Sequence, residues 1–411
     1  MEVLLGNENY FVEGSKNAAI YKLKEKKVYA LNETAKNVII KYIRHEELNN
    51  EGRNFINSLI DKKIIIPDEI DANVKIEKPQ LSINFAWLEL TGNCNLRCIH
   101  CYGKFGNASK KESKLLDKEE WFDIIDQLYE LGCKDIQLIG GEPFCNANCL
   151  EIIKYLHKKK IKKITVFTNA TLINDEVIKV LKECNVNIRF SLYGYNKETH
   201  EAITKVKGSF DWTIDAINKL RANNIKVSVA IVIMKENEKY LTNIRKFVEN
   251  ELKIRYNGFD VIRPSCINDN IEHRISDYKI ISKRYYTYPS FGINKNQFII
   301  NHFYNPCLNS KIAITSEGDV IPCIFARDFV CGNVKEKKIN DMINSINSTW
   351  EIHKNQIDEC KDCEFKYACS DCRPLAIGIN GNKFSKYPRC CYSPKEGVWK
   401  DIHKITKEIT K

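Results

Sequence analysis

From Phe85 onward the apolar residues follow two alternating patterns. Short strand-like runs occur at Phe85 to Leu90, Ile136 to Leu138, Ile164 to Phe167, Ile188 to Ser191, Val227 to Ile233 and Phe259 to Ile262. Between them lie stretches of helical periodicity such as Trp121 to Leu131 and Trp212 to Leu220. Repetition of strand, helix and strand implies a parallel sheet covered by helices. The series predicts an α/β fold, a partial (β/α) barrel spanning residues 81–300, with its site at the C-terminal ends of the strands.

The region before the barrel reads differently. Ala18 to Leu23 and Lys27 to Leu31 form a predicted hairpin around the charged turn Lys24-Glu25-Lys26. Asn32 is placed to cap a helix through Ala35, Val38, Ile39 and Ile43, and a second helical stretch lies near Phe55, Ile56, Leu59 and Ile60. Residues 1–67, closing on Ile64-Ile65-Ile66-Pro67, are expected to form a small α+β module, and the polar, aperiodic residues 68–80 a linker. Residues 301–411 form the last region, set apart by their cysteines.

A chain of 411 residues exceeds the usual size of one domain, which suits this division. The start, Met1-Glu2-Val3-Leu4-Leu5-Gly6-Asn7, lacks the basic region and long apolar core of an export signal, and no run is long enough to cross a membrane. The expected location is therefore the cytoplasm, with no membrane partner, where the 17 cysteines stay reduced and open to metal. Net charge is +11, and the densest basic run, Lys158-Lys159-Lys160-Ile161-Lys162-Lys163, ends a helix pattern and is expected to face solvent. Basic residues interleaved with stacking aromatics are absent from that run, so no nucleic-acid partner is expected.

The cysteines carry the chemistry. Cys94, Cys98 and Cys101 follow the first barrel strand on one loop. Three thiolates can hold three irons of a cubane and leave the fourth open to a small molecule, whereas purely electron-carrying clusters are usually closed by four cysteines. The alternative is zinc, for which His100 is the nearby fourth donor. The following strand ends carry Gly140-Gly141-Glu142-Pro143, Thr168-Asn169-Ala170 and Ser191-Leu192-Tyr193-Gly194 in turn. Between Cys307 and Cys391 lie nine cysteines, Cys307, Cys323, Cys331, Cys360, Cys363, Cys369, Cys372, Cys390 and Cys391, enough for two four-ligand sites. Cys133, Cys184, Cys145, Cys149 and Cys266 read as small apolar residues, the last three near the barrel mouth.

The loop, the Gly-Gly-Glu-Pro turn, the Thr-Asn strand end and the segment Ser191 to Phe210 resemble the radical S-adenosylmethionine (SAM) core of peptide-maturing enzymes. The order of the later cysteines resembles the SPASM domain that carries auxiliary iron–sulfur clusters in that family. The resemblance implies one SAM-binding [4Fe-4S] cluster on Cys94, Cys98 and Cys101, with SAM contacted by Gly140, Gly141, Glu142, Thr168, Asn169 and Ser191. It implies two auxiliary [4Fe-4S] clusters: an inner one on Cys307, Cys323 and Cys372, with either Cys331 as fourth ligand or an open iron able to bind a substrate thiolate, and an outer one on Cys360, Cys363, Cys369 and either Cys390 or Cys391. His100 stands where the family usually has Tyr, Phe or Trp, Lys205 where glycine is frequent, and Asn301 and His302 where some members have a further cysteine.

The activity so implied is cleavage of SAM to a 5′-deoxyadenosyl radical that takes hydrogen from a ribosomally made precursor peptide and leads to its cross-linking or other modification. A reductant such as flavodoxin or ferredoxin is the implied electron donor, and no side chain is assigned as catalytic. Residues 1–67 resemble the winged-helix-like modules that hold leader peptides by strand addition, with a purely structural cap as the alternative. Two other readings stay open, a radical SAM enzyme acting on a folded protein (sulfatase-maturing type) or small molecule, and a non-catalytic zinc-binding adaptor.

Overall fold

The computed structural model describes residues 1–106, 115–256, 258–263, 270–276 and 291–399, so Cys266 lies outside the described residues. The chain divides into two compact units that do not follow its order. One comprises Met1–Gln80, Ser276–Asn309 and Trp350–Lys411, and the other Leu81–Ile275 and Ser310–Thr349. Among the described residues no helix is long and apolar enough to cross a membrane.

The first unit is built on an antiparallel meander of β1 (Glu2–Gly6), β2 (Asn9–Glu13), β3 (Ala18–Lys22) and β4 (Lys27–Leu31). The sequence pattern shows the second hairpin but not the first. Asn7 and Glu8, which join β1 to β2, both have positive φ, 50° and 61°. That is the two-residue turn usually marked by Asn-Gly, here formed without the glycine. Helices Glu33–Ile43 and Asn50–Asp61 follow, and the side chains of Asn32 and Asn49 accept from Ala35 N and Gly52 N at 2.9 and 2.8 Å.

The meander is buried on both faces. Val3, Leu5, Phe11, Ala18 and Ile20 pack with Ile39, Ile56, Leu59 and Ile65. On the opposite face Val12, Ala19, Tyr21 and Leu23 share a core with Ile293, Phe298, Phe365, Tyr367 and Tyr392. Double burial explains why Ala18-Ala19-Ile20-Tyr21 is continuously apolar rather than alternating. The outer edge of β1 is covered, with Leu4 N donating to Asp71 O and Asp71 N to Leu4 O, each at 3.0 Å. Part of the expected linker is thus a paired edge segment. Among the described residues no backbone hydrogen bond reaches the outer edge of β4.

The second unit holds a nine-stranded sheet that does not close into a barrel. Its parallel strands are β5 (Phe85–Glu89), β6 (Asp135–Ile139), β7 (Lys163–Thr168), β8 (Asn187–Leu192), β9 (Val227–Ile233) and β10 (Asp260–Val261), adjacent in that order. Beyond β5 come β11 (Lys311–Ile314), parallel to it, and then β12 (Asp319–Ile321) and β13 (Gly332–Asn333), each antiparallel to the strand before it. Ala86, Leu88, Ile136, Leu138, Ile164 and Val166 are buried on one face of the sheet. On the other face Trp87 Nε1 donates to Gln137 Oε1 at 2.9 Å. A cavity of about 520 Å³ opens on that second face, lined by Trp87, Gln137, Arg189, Lys226 and Lys311 among others. It lies toward the N-terminal ends of the strands, whereas the cysteine loop leaves the C-terminal end of β5.

Candidate iron–sulfur and SAM site

The loop after β5 is held by main-chain bonds on both sides. Gly141 N donates to Thr91 O at 2.8 Å and Glu142 N to Asn93 O at 2.9 Å. Arg97 N and Ile99 N donate to Thr204 O and Ile203 O, at the end of helix Lys197–Thr204. The two glycines of the turn are required by this approach. A Cβ on Gly140 would stand 2.7 Å from Thr91 O, and one on Gly141 2.3 Å from Asn93 O.

The three thiols are brought together. Burial pushes Cys94 up to about 12, with Glu142, Cys101 and Cys145 adding to the rise. Burial also pushes Cys98 far up, reinforced by Cys101 and Cys94, while a hydrogen bond from the Tyr193 side chain opposes it. Leu96 N donates to Cys94 Sγ at 3.4 Å, and the backbone of Gly103, Phe105 and Lys104 bonds Cys101, opposing the upward push of burial. Cys133, Cys149 and Cys184 are buried, and the half-buried Cys145 also acts on Cys94.

Glu142 is fully buried and spends its carboxylate within the protein. It accepts from Thr168 Oγ1 at 2.7 Å, Asn169 N at 2.8 Å and Phe144 N at 3.2 Å. Burial nevertheless pushes the carboxyl up to about 7 against those bonds. The Asn169 side chain turns toward the cysteine loop, donating to Asn95 Oδ1 at 2.8 Å. Ser191, at the end of β8, hydrogen-bonds the Tyr193 side chain.

Three side chains enter the site that the sequence reading did not assign. Tyr193 lies against His100, ring centroids 4.6 Å apart, and touches Cys98. Glu89, 2% exposed, is ion-paired with Arg327, whose guanidinium lies 5.4 Å from the Tyr102 ring centroid. The signal for Glu89 was available, since it shares strand parity with Phe85 and Trp87 rather than with the buried Ala86 and Leu88. Lys205 caps the helix Lys197–Thr204 in the left-handed region at φ 58°, which is the conformation that favours glycine there.

In the first unit a second set of thiols converges. Burial raises Cys360, Cys363 and Cys369, and each is raised further by others of the set Cys360, Cys369 and Cys390. Phe365 N donates to Cys363 Sγ at 3.4 Å, as Leu96 N does to Cys94. Asn305 joins two more cysteines: its Oδ1 accepts from Cys307 N at 2.9 Å, its Nδ2 donates to Asp371 Oδ2 at 2.9 Å, and Asp371 Oδ1 accepts from Cys372 N at 2.8 Å. Cys391 is buried. In the second unit Cys323 follows β12, and Cys331 Sγ points to the carbonyls of Phe329 and Ser345 at 3.7 and 3.8 Å. The positions expected to carry a further cysteine are used in packing: Asn301 Nδ2 donates to Tyr367 O, and the His302 ring stacks on Tyr367 at 4.8 Å.

Among the described residues no three His, Cys, Asp or Glu side chains converge as one metal ion requires. Cysteines on separate corners of an iron–sulfur cube need not meet at a point. Amide N–H groups aimed at Cys94, Cys101 and Cys363 also stabilise sulfur in its thiolate form. The donor sets therefore fit clusters.

Residues 88–248 match the Radical SAM superfamily, and residues 307–364 match SPASM, an iron–sulfur cluster-binding domain. The chain belongs to the radical SAM enzymes that carry a SPASM domain, and its cofactors are SAM and iron–sulfur clusters. It is 28% identical over 336 residues to the antilisterial bacteriocin subtilosin biosynthesis protein AlbA of Bacillus subtilis, covering 76% of this chain and 71% of that one. It is 25% identical over 344 residues to an AdoMet-dependent heme synthase of Methanosarcina barkeri, covering 75% and 96%. In fold it is similar to SuiB of Streptococcus suis bound to SAM, with a TM-score of 0.59, 15% identity and coverage of 94% and 97%. The structure titled native anSMEcpe with bound AdoMet gives 0.57, 15%, 79% and 99%.

Proposed function

We propose that this enzyme matures a precursor peptide. The observation that carries the reading is the likeness to AlbA, a bacteriocin biosynthesis protein, over three quarters of the chain, on a fold shared with SuiB bound to its precursor peptide SuiA. When bound, the cluster and SAM supply a carbon-centred radical by reductive cleavage of a sulfonium bond. Cys94, Cys98 and Cys101 hold the cluster. The N–H groups of Gly141 and Glu142 are committed to the cysteine loop, so the turn offers carbonyl acceptors, which suit the ammonium of SAM. Glu142 and Thr168 act as a brace behind that turn, while Asn169 and Ser191 stand at the neighbouring strand ends. The rings of His100 and Tyr193 close the loop against water.

Cys360, Cys363, Cys369 and Cys390 are proposed as the outer auxiliary set, with Cys390 favoured over Cys391 because it acts on the other three thiols. Cys307, Cys323 and Cys372 are proposed as inner ligands. A flavodoxin or ferredoxin is the proposed reductant. The edge of β4, unpaired among the described residues, is the proposed docking strand for a leader. In that case a leader peptide slows amide hydrogen exchange across Lys27–Leu31, and unchanged exchange there removes the assignment.

The test of the whole reading is co-production with the short peptides encoded beside the gene, followed by mass spectrometry. Loss of hydrogen from one such peptide is expected. SAM turnover with every candidate peptide unaltered would sink the peptide reading and turn the search to small molecules.

A further inference from the structure

Lys354 is 1% exposed, and among the described residues its ammonium has no hydrogen-bond partner. An ammonium carries three donors and no acceptor, and burying one without hydrogen bonds is unfavourable. Its ion-pair partner, Asp371 Oδ1, stands 3.6 Å away, beyond hydrogen-bond reach. That oxygen already accepts from Cys372 N and Arg373 Nη2, and Asp371 Oδ2 accepts from Asn305 Nδ2. The thiols of Cys369 and Cys360 act on Lys354 electrostatically, as Asp371 does.

Two other cations coupled to the thiol set, Lys386 and Arg373, are hydrogen-bonded. Lys386 donates to Glu359 Oε2 and Tyr392 O, both at 2.7 Å. Arg373 donates to Lys383 O at 3.0 Å, to Ser385 O at 2.7 Å and to Asp371. Among the described residues Lys354 alone of these three has every donor unspent, and two of the four thiols act on it.

We infer that Lys354 is a positioning residue whose ammonium pairs with sulfur of the outer auxiliary cluster and raises that cluster's reduction potential. The inference rests on the proposed assignment of Cys360, Cys363, Cys369 and Cys390 to that cluster. One-electron reduction adds a negative charge to the cluster, and a buried cation beside it favours the reduced state, because charges interact more strongly where water is excluded. The outer cluster is thereby suited to accept an electron rather than to deliver one.

The test uses full-length protein with Cys94→Ala, Cys98→Ala and Cys101→Ala, which removes the SAM cluster from the spectrum. Iron and sulfide are counted, and the auxiliary clusters are titrated potentiometrically with electron paramagnetic resonance as the readout. Lys354→Met is expected to lower the midpoint of one cluster, and Lys354→Arg, which keeps the charge, to restore most of it. Equal midpoints in the parent and Lys354→Met with clusters intact overturn the inference. Absence of auxiliary clusters from the parent itself would refute the ligand assignment instead. Should Lys354→Met lose its cluster, protein grown on lysine with a heavy-nitrogen label at Nζ decides the matter. Electron–nuclear double resonance is then expected to show a labelled nitrogen coupled to the reduced cluster, lost in Lys354→Arg; no coupling, or coupling retained in that variant, overturns the inference.

Discussion

Removing the Glu142 carboxylate strands three donors at once, the Thr168 hydroxyl and the amides of Asn169 and Phe144. Unsatisfied buried donors each cost about 1–3 kcal/mol, so Glu142→Ala is expected to destabilise the second unit by at least about 2 kcal/mol. Urea unfolding of the iron-free protein checks this without reference to turnover. Lys205 gives the opposite prediction. Its left-handed backbone is costly for a residue with a side chain, so Lys205→Gly should raise stability by about 1 kcal/mol, read as a higher thermal midpoint. Both residues stand out in the sequence, Glu142 by its motif and Lys205 by its departure from one. What the sequence does not show is that Glu142 turns its side chain inward, because that depends on Thr168, a residue 26 positions away.

The six parallel strands β5 to β10 are legible because each is a run of apolar residues bounded by helical periodicity. β11 is not. Lys311-Ile312-Ala313-Ile314 is four residues long and stands more than 200 positions from Phe85, the start of the strand it pairs with, so no local pattern ties it to the sheet. β1 and β2 were missed for a different reason, since Asn7-Glu8 lacks the glycine that normally signals their turn. The meander matters energetically on both faces. Tyr21 is fully buried among Phe298, Phe365 and Tyr367, and its hydroxyl donates to Glu364 O at 2.8 Å. Tyr21→Ala is expected to cost about 3–5 kcal/mol, as for other large aromatic truncations, and Tyr21→Phe about 1 kcal/mol for the lost hydrogen bond. Limited proteolysis of the segment after Trp350 should accelerate in the first variant and scarcely change in the second. Equal protection in both would mean that the meander does not support that segment.

For the whole molecule the iron count is decisive. Three four-iron clusters correspond to about twelve irons per chain, falling to about eight when Cys94, Cys98 and Cys101 are replaced together by alanine. A total near four in the unsubstituted protein, or stoichiometric zinc, would contradict the assignment of the nine later cysteines. The cysteines themselves are plain in the sequence, but their grouping is not, since Cys307 and Cys372 are joined through Asn305 and Asp371, neither of which belongs to a motif. The compact units likewise cut across chain order, placing the first eighty residues with the last sixty. That arrangement sets a timetable for synthesis. Tyr21 and Leu23 leave the ribosome about 340 residues before Phe365 and Tyr367, an interval of roughly 20 to 70 seconds at ordinary translation rates. For that time one apolar face of the nascent meander lacks its full cover, which makes it a natural client for chaperones, and loading of the proposed outer cluster has to wait for Cys390.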